Sequence, residues 1–212
     1  MIDITFPVGP LQCNCTILAC ERTREALVID PGDEAPRILA ALQKEALTVR
    51  VLLHTHAHFD HVGATKALKE TLPEKPLVAL HPSDLPLYNN LALQGKMFGM
   101  ALSPGVPLDK QLEDAEEITF GHYRLQVLHT PGHTPGSVCF HLSLPDGPLL
   151  LSGDTLFYRS VGRTDLWGGD TSQLQNSIRH RLFTLDGDTR VRPGHGRETH
   201  IGEEKKLNPF VA

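Results

Sequence analysis

The sequence lacks most features that mark secreted, membrane-spanning or zinc-finger proteins. Its 212 residues include only four cysteines, with no C-x-x-C pair and no zinc-finger spacing. No apolar run approaches the roughly 20 residues of a membrane span. The first residues, MIDITFPVGP, have neither the charged start nor the apolar core of a signal peptide. We therefore expect a cytoplasmic protein with buried or strand-edge thiols, and Cys13 with Cys15 as a metal pair is the less favoured alternative.

Excess positive charge is also missing. The 20 Lys and Arg residues are outnumbered by 25 Asp and Glu, which gives a net charge of −5. There is no basic run, so the composition argues against nonspecific nucleic-acid binding. A chain of this length suits one domain and can bury roughly 70% of its unfolded surface.

Histidine is plentiful, and one short run of the chain, LLHTHAHFDH, concentrates it. This run holds His56, His58, Asp60 and His61. In an extended stretch His56 and His58 point to the same side, because side chains alternate. Imidazole and carboxylate are ordinary ligands of divalent transition metals. Four ligands exceed what one catalytic metal usually takes from a single segment, so the run predicts two adjacent metals.

Three single residues later in the chain complete the predicted ligand set. His133 lies in HTPGHTPGS, Asp154 in LLLSGDTLF and His195 in RPGHGRE. Each follows an apolar run that predicts a strand, and ligands often lie on loops held by such a scaffold. Five histidines and two aspartates suffice for two sites if one carboxylate bridges. A ligand set without thiolate predicts open, catalytic coordination rather than a closed structural zinc site.

Two such metals would support hydrolysis. A metal bound by neutral imidazoles can lower the pKa of its water to about 7. Two metals about 3.5–4 Å apart can share the resulting hydroxide and polarise a substrate oxygen. The hydroxide then attacks a carbonyl carbon or a phosphorus. No Ser or Cys nucleophile is needed, and the sequence offers no convincing Ser-His-Asp arrangement.

The spaced ligand set resembles that of the metallo-β-lactamase superfamily. His56, His58, Asp60 and His61 match its HxHxDH signature, and the three later residues match its single ligands in order. The resemblance implies an α/β fold, the αββα sandwich of two mixed sheets with helices outside. It implies two divalent metals, expected to be Zn with Fe or Mn as alternatives. The implied roles are His56, His58 and His133 on one metal, Asp60, His61 and His195 on the other, Asp154 bridging, and Asp60 and Asp154 as the catalytic residues.

A narrower resemblance points to a branch of that superfamily. Metallo-β-lactamases proper generally lack the bridging carboxylate and are secreted. The run SGDTLF followed by VGRTDL is similar to compact bacterial glyoxalase II-like proteins and to persulfide dioxygenases. This implies hydrolysis of a small thioester such as S-lactoylglutathione. The alternative is a persulfide dioxygenase with one ferrous ion on His56, His133 and Asp154. A lactonase or another dinuclear hydrolase is less favoured, and a non-catalytic binding module least.

The domain expectation follows from the same branch. Residues 1–212 are expected to form one metallo-β-lactamase-like domain, without the helical glutathione-binding domain that follows in glyoxalase II. Only 17 residues come after His195, which puts glutathione affinity in doubt. The open pocket that this leaves could be completed by a second copy of the chain, so a homo-oligomer is a partner to test. Neither nucleic acid nor membrane is expected as a partner.

Candidate substrate contacts have two interpretations each. Arg163 could pair with a substrate carboxylate, but a structural pair with Asp165 is favoured. Tyr158 could donate a hydrogen bond to substrate or simply pack, and Trp167 is expected at a pocket rim. Apolar residues between the prolines of 82–114 could form a lid, although packing on the core is favoured: Leu91, Leu93, Met97, Phe98, Met100 and Leu102.

Apolar periodicity predicts the secondary structure. Strands are expected at residues 2–6, 14–20, 25–29, 49–53, 77–80, 117–120, 123–129, 138–142, 149–151 and 189–192. Helices are expected at 34–46, 62–71 and 172–183. The second helix would bury Ala64, Ala67 and Leu68, and Thr171 or Ser172 would cap the third.

Overall fold

Two six-stranded mixed sheets form the centre of the computed structural model, which describes residues 1–99, 102 and 104–211. The strands of the first sheet are β1 (Ile2–Val8), β2 (Cys13–Ala19), β3 (Glu25–Ile29), β4 (Thr48–Leu53), β5 (Leu77–Leu80) and β6 (Lys110–Gln111). They lie side by side in chain order. β1 to β3 are antiparallel, whereas β3 to β6 are parallel.

The second sheet has the spatial order β14-β13-β10-β9-β8-β7. Strands in this half of the chain are β7 (Glu117–Phe120), β8 (Tyr123–His129), β9 (Val138–Leu142), β10 (Leu149–Gly153), β11 (Leu156–Phe157), β12 (Ser160–Val161), β13 (Arg190–Pro193) and β14 (Thr199–His200). Only the β10–β13 pair is parallel within this sheet. β11 and β12 form a separate hairpin.

Short helices flank the two sheets. They are α1 (Ala35–Lys44), α2 (Phe59–Val62), α3 (Thr65–Thr71), α4 (Leu85–Tyr88), α5 (Leu91–Met97), α6 (Thr171–Ser177) and α7 (Ile201–Leu207). α1 and α3 pack on the first sheet through Ile38, Leu42 and Leu68. α6 and α7 pack on the second through Leu174 and Ile201. The predicted αββα sandwich is therefore confirmed.

The main core lies between the two sheets. Alternate residues of each strand face inward there, as the pleat requires. Leu18, Leu27 and Leu53 come from the first sheet, and Phe120 and Phe140 come from the second. Each of these five side chains is fully buried. In the part of the chain that the structure describes, no helix is long and apolar enough to cross a membrane.

The helix predicted at residues 62–71 is wrong at its start. The structure has two short helices instead, α2 and α3, separated by Gly63 and Ala64. The chain turns there because Gly63 packs against the backbone of Gly32, where any Cβ would overlap the Gly32 carbonyl oxygen. Ala64 and Leu68 are buried as predicted, but Ala67 is exposed.

The third predicted helix is confirmed in its apolar face and wrong in its cap. Leu174, Ile178 and Leu182 are buried, although Ile178–Leu182 winds as a π-helical turn. The N-cap is Asp170 rather than Thr171 or Ser172, because its carboxylate accepts the backbone N–H of Gln173 at 3.0 Å. A carboxylate at a helix N-terminus also interacts favourably with the helix dipole.

The segment after β5 is more helical than its prolines suggested. A 3-10 turn at Pro82–Asp84 leads into α4, and α5 follows. Leu91 packs in a small core with Phe59 and Tyr88. The predicted lid residue Met100 lies outside the described residues. Pro82 and Pro86 are accommodated because they occupy first-turn positions, where no N–H is required.

Candidate metal centre

The seven predicted ligands meet at one edge of the sandwich. His56 follows β4, His133 follows β8, Asp154 follows β10 and His195 follows β13. These four strands all end at this edge. The two sheets are linked there by backbone hydrogen bonds, from Asn14 N–H to the Gly194 carbonyl at 2.7 Å and from Val138 N–H to the Thr55 carbonyl at 2.8 Å. The sandwich thus holds ligands from both sheets in a fixed relation.

Three imidazoles form the first ligand group. His56 Nε2 lies 3.1 Å from His58 Nδ1 and 3.2 Å from His133 Nε2. His133 Nε2 lies 2.9 Å from His58 Nδ1. All three rings are buried. Three ring nitrogens therefore converge on one point, as ligands of one metal would.

Asp60, His61 and His195 form the second ligand group. His195 Nε2 lies 3.2 Å from Asp60 Oδ2 and 3.3 Å from His61 Nε2. His61 Nε2 lies 3.7 Å from the same carboxylate oxygen. This group adjoins the first, since the rings of His56 and His61 have centroids 4.0 Å apart.

Asp154 lies between the two groups. Its Oδ1 is 3.5 Å from His61 Nε2, and its Oδ2 is 3.6 Å from His133 Nε2 and 3.7 Å from His195 Nε2. Oδ1 is buried and has no hydrogen-bond partner among the described residues. A buried carboxylate oxygen without a donor is costly unless a cation meets it.

The outer nitrogens of the rings test whether cations fit here. His133 Nδ1 donates to the carbonyl of Arg163 at 2.7 Å, and His195 Nδ1 donates to that of Leu11 at 2.9 Å. His56 Nδ1 lies 3.1 Å from Thr55 Oγ1, which itself donates to Asp30 and so accepts from the ring. Rings that donate outward present bare lone pairs inward. Divalent metals fit this donor set of five imidazoles and two carboxylates.

The charge states of His56 and His58 agree with that fit. Burial, followed by the neighbouring imidazoles, holds the pKa of His56 well below its ordinary value and lowers the pKa of His58 to about 3. Both rings are therefore neutral, the form that binds metals. Burial opposes ionisation of Asp60, but His61 and His195 outweigh it and hold its pKa below the usual range.

Asp30 supports the second ligand group, and sequence reasoning missed this role. Its buried carboxylate accepts from Thr55 N–H at 2.7 Å, from Thr55 Oγ1 at 2.7 Å and from His61 Nδ1 at 3.0 Å. It fixes both the loop after β4 and the His61 ring. The signal for Asp30 in the sequence was its position directly after the strand predicted at 25–29. That position indicates a turn and says nothing about a metal site.

Asp84 supports the first ligand group in the same way. It accepts from Ala57 N–H at 2.9 Å, from Thr134 Oγ1 at 2.8 Å and from Gly136 N–H at 2.6 Å. Ala57 stands between His56 and His58, whereas Thr134 follows His133. Asp84 therefore ties together the two loops that supply the first group.

The cysteines lie outside both ligand groups. All four are free and buried, as expected. Cys13 Sγ lies 3.5 Å from His61 Nδ1, the nitrogen that also contacts Asp30. Burial raises the pKa of Cys13 to about 12 and that of Cys15 well above its ordinary value. Both are therefore thiols rather than thiolates in the folded chain.

A cavity of about 360 Å³ opens over the two ligand groups. Asp60 and Asp154 form part of its floor, with His58, His133 and His195. Three of the predicted lid residues, Leu93, Met97 and Phe98, lie in its walls. The other wall residues are also apolar: Leu11, Phe59, Leu87, Leu166 and Trp167. The rest of its lining is polar: Asn90, Gln94 and Arg163.

The two predicted substrate contacts lie in different places. Arg163 lines the cavity, and its guanidinium pairs with Asp165 through Nε–Oδ1 at 2.7 Å and a second bond at 2.8 Å. Tyr158 does not line this cavity among the described residues; its ring contacts the guanidiniums of Arg159 and Arg197, at 4.9 and 3.5 Å from the ring centroid. Substrate contact by either residue stays a prediction.

The chain is similar in sequence to several known proteins. The family model of the metallo-beta-lactamase superfamily matches residues 8–195. Hydroxyacylglutathione hydrolase GloC of Haemophilus influenzae is 35% identical, with 97% of this chain and 96% of that protein covered. Human mitochondrial persulfide dioxygenase ETHE1 is 32% identical, over 94% of this chain and 72% of the human protein.

Two crystal structures are similar over their whole length. TTHA1623 in a di-iron-bound form is 42% identical, with a TM-score of 0.88 and full coverage of both chains. BLEG-1, a B3 metallo-beta-lactamase, is 38% identical with a TM-score of 0.90, again with full coverage of both. The relatives thus include proteins named for three different reactions.

Proposed function

The chain belongs to the metallo-beta-lactamase superfamily, a superfamily of metallo-hydrolases, and from this premise we propose that it hydrolyses thioesters at a two-metal centre. The observation that carries the proposal is the position of Asp154, whose carboxylate lies within 3.7 Å of imidazoles from both ligand groups. A carboxylate so placed can bridge two ions. The relative named as a hydroxyacylglutathione hydrolase supports a thioester as the substrate.

Each ligand group would hold one divalent metal, as Zn, Fe or Mn. His56, His58 and His133 would hold one, Asp60, His61 and His195 the other, and Asp154 would bridge them. The bound ions would supply Lewis acidity and lower the pKa of water, so that no Ser or Cys nucleophile is needed.

The chain's own residues would position and protect the reaction. Asp60 and Asp154 form part of the cavity floor, where their carboxylates can accept a hydrogen bond from the attacking water and orient it. The carbonyls of Arg163 and Leu11 accept from Nδ1 of the His133 and His195 rings. They therefore favour the tautomer whose unprotonated Nε2 faces inward. The apolar walls limit bulk water near the scissile carbonyl.

A second candidate is a persulfide dioxygenase, favoured by the likeness to ETHE1. His56 and His133 with Asp154 would form the two-histidine, one-carboxylate set typical of non-haem iron oxygenases. The separations support such a set, since His133 Nε2 lies 3.2 Å from His56 Nε2 and 3.6 Å from Asp154 Oδ2.

The test is loss of the thioester absorbance of S-lactoylglutathione, with natively metallated protein and a chelator-treated control. Two further arms measure oxygen uptake on glutathione persulfide and opening of a chromogenic β-lactam. We expect chelator-sensitive thioester loss and no oxygen uptake. Oxygen uptake without thioester loss would establish the dioxygenase instead, and β-lactam opening alone would replace both candidates.

A further inference from the structure

The cavity walls expose apolar side chains next to the two ligand groups. Met97 is 72% exposed, Trp167 56%, Leu93 52% and Phe98 49%. α5 supplies Leu93 and Met97, and Phe98 is its C-cap. Trp167 comes from the loop after β12. Contiguous exposed apolar surface on a cavity wall is typical of a ligand site, because bound ligand removes that surface from water.

The neutral polar groups in the lining are already engaged within the protein. Gln94 donates to the carbonyls of Ala57 and Leu87, each at 2.9 Å, and accepts the Phe59 N–H at 3.1 Å. The Asn90 amide donates to the Pro86 carbonyl at 2.9 Å. The Gln94 amide therefore shapes α5 and the loop after β4 and offers a ligand little, whereas Asn90 uses one N–H to hold the turn before α5.

Charge in the lining is unfavourable to an anion away from the metals. Arg163 is the one cation among the described lining residues, and two of its N–H groups already bond Asp165. Glutathione carries two carboxylates and an ammonium group near neutral pH. One guanidinium that is already paired with Asp165 would have to serve both carboxylates, so the lining offers glutathione little to offset any loss of hydration.

Building on the proposed thioesterase function, we propose that the preferred substrate is a thioester with an apolar acyl group and needs no glutathione. The acyl chain packs against Leu93, Phe98 and Trp167, while the thioester carbonyl lies over the two ligand groups. The thiol half extends toward solvent and contributes little to recognition. This assigns α5 and Trp167 as the determinants of acyl specificity.

The experiment crosses two acyl groups with two thiols. Lactoyl and hexanoyl thioesters of glutathione and of uncharged N-acetylcysteamine are hydrolysed by the metallated protein, and kcat/KM is measured for each. We expect hexanoyl to exceed lactoyl about tenfold or more on both thiols, since each buried methylene contributes roughly fourfold. Exchange of the thiol should change kcat/KM by less than about threefold, the effect of a group left in solvent.

Two variants locate the determinant. Phe98→Ala and Trp167→Ala should each reduce the hexanoyl-to-lactoyl ratio by about fivefold or more, since each removes apolar contact area. The matched control is Phe210→Ala, because Phe210 is 52% exposed but does not line the cavity. The control should keep the wild-type ratio, and thermal melting shows that all three variants are folded.

The outcomes separate this inference from the function on which it rests. Preference for lactoylglutathione over the hexanoyl esters would overturn the apolar substrate class while leaving a thioesterase. A ratio unchanged in both cavity variants would overturn the assigned determinant. No hydrolysis of any ester by fully metallated protein would overturn the proposed function, and this inference with it.

Discussion

Two buried aspartates, Asp30 and Asp84, hold the metal-binding loops although neither belongs to a ligand group. Each accepts three hydrogen bonds from groups beside the ligands. Such outer partners fix ring orientation and tune the metal, and their loss commonly costs metal affinity. Asp84 connects the His56–His58 loop with the His133 loop through its own carboxylate, so a change there should affect both loops.

Asp84→Asn should destabilise the protein by about 2–3 kcal/mol and weaken metal binding about tenfold. One carboxylate oxygen becomes an NH₂ group, which faces N–H or O–H donors instead of accepting from them. Urea unfolding and metal titration measure the two effects. Asp146→Asn, at an exposed position, serves as the control and should change neither. Unaltered metal affinity in Asp84→Asn would contradict the positioning role.

The sequence predicts the candidate metal ligands better than it predicts the residues that hold those ligands in place. The seven candidate ligands were recognisable because histidine and aspartate recur at loops directly after apolar runs. Asp84 and Gln94 gave no such signal, since each is a single polar residue whose partners lie in other segments. Their buried hydrogen bonds exist only once the chain is folded.

Among the elements, the placement of α2 depends on Gly32. A Cβ at this position would overlap the backbone oxygen of Asp60, and the Gly32 carbonyl in turn closely approaches Gly63. Gly32→Ala should therefore push α2 away from its site, destabilise the protein by about 2–3 kcal/mol and reduce metal occupancy. Thermal melting and metal content measure both effects.

Gly187→Ala is the matched control, because its added methyl would meet Gly202 at an ordinary 3.6 Å. It should leave melting temperature and metal content close to wild type. A Gly32→Ala protein with wild-type metal content would show that α2 tolerates the displacement, against the prediction.

The short 3-10 turn at Pro82–Asp84 depends on a neutral histidine. His81 Nδ1 accepts the Ser83 N–H at 3.3 Å, and its ring stacks on His129 at 4.0 Å. Burial, followed by His129, lowers the pKa of His81 to about 4. As pH falls, the unfolded chain therefore protonates His81 before the folded chain does. The stability that neutral His81 contributes is present above the ordinary pKa of about 6.5 and is lost as pH falls toward 4.

His81→Gln keeps an acceptor but removes the titration. The stability lost between about pH 7 and pH 4.5 should be smaller in this variant than in wild type by roughly 1–2 kcal/mol. Urea unfolding of both proteins at the two pH values, in chelator throughout, measures the difference. Equal losses in the two proteins would contradict a neutral, buried His81.

Element boundaries were predicted well where local pattern sets them. The hairpin of β7 and β8 has the predicted residues, because two apolar alternations flank a Gly-containing turn. The predicted helix at 62–71 was wrong at its start, and α4 and α5 were missed. Those short helices are set by tertiary contacts, such as Gln94 on the Ala57 and Phe59 backbone, which sequence periodicity does not report.

Across the whole molecule, the candidate ligands come from both sheets. The first sheet's loops carry His56, His58, Asp60 and His61, and the second sheet's loops carry the other three ligands. The αββα arrangement was predictable through the resemblance that these ligands carry. Cavity shape was not, because it depends on where α5 and the Trp167 loop pack.

Metal removal should therefore loosen the sandwich as a whole. Ions that bind only the folded state stabilise it by several kcal/mol, so chelation should lower the melting temperature by about 10 °C. Calorimetry with and without chelator measures the shift, and added Zn should reverse it. An unchanged melting temperature after verified metal loss would show that the centre does not couple the sheets.

The most direct test of the account is the number of metal ions per chain, measured by elemental analysis of wild type and Asp154→Ala. A bridging Asp154 predicts two ions per wild-type chain, and at most one, with loss of thioester turnover, in the variant. One ion in wild type, or two ions with full turnover in Asp154→Ala, would contradict the two-metal centre.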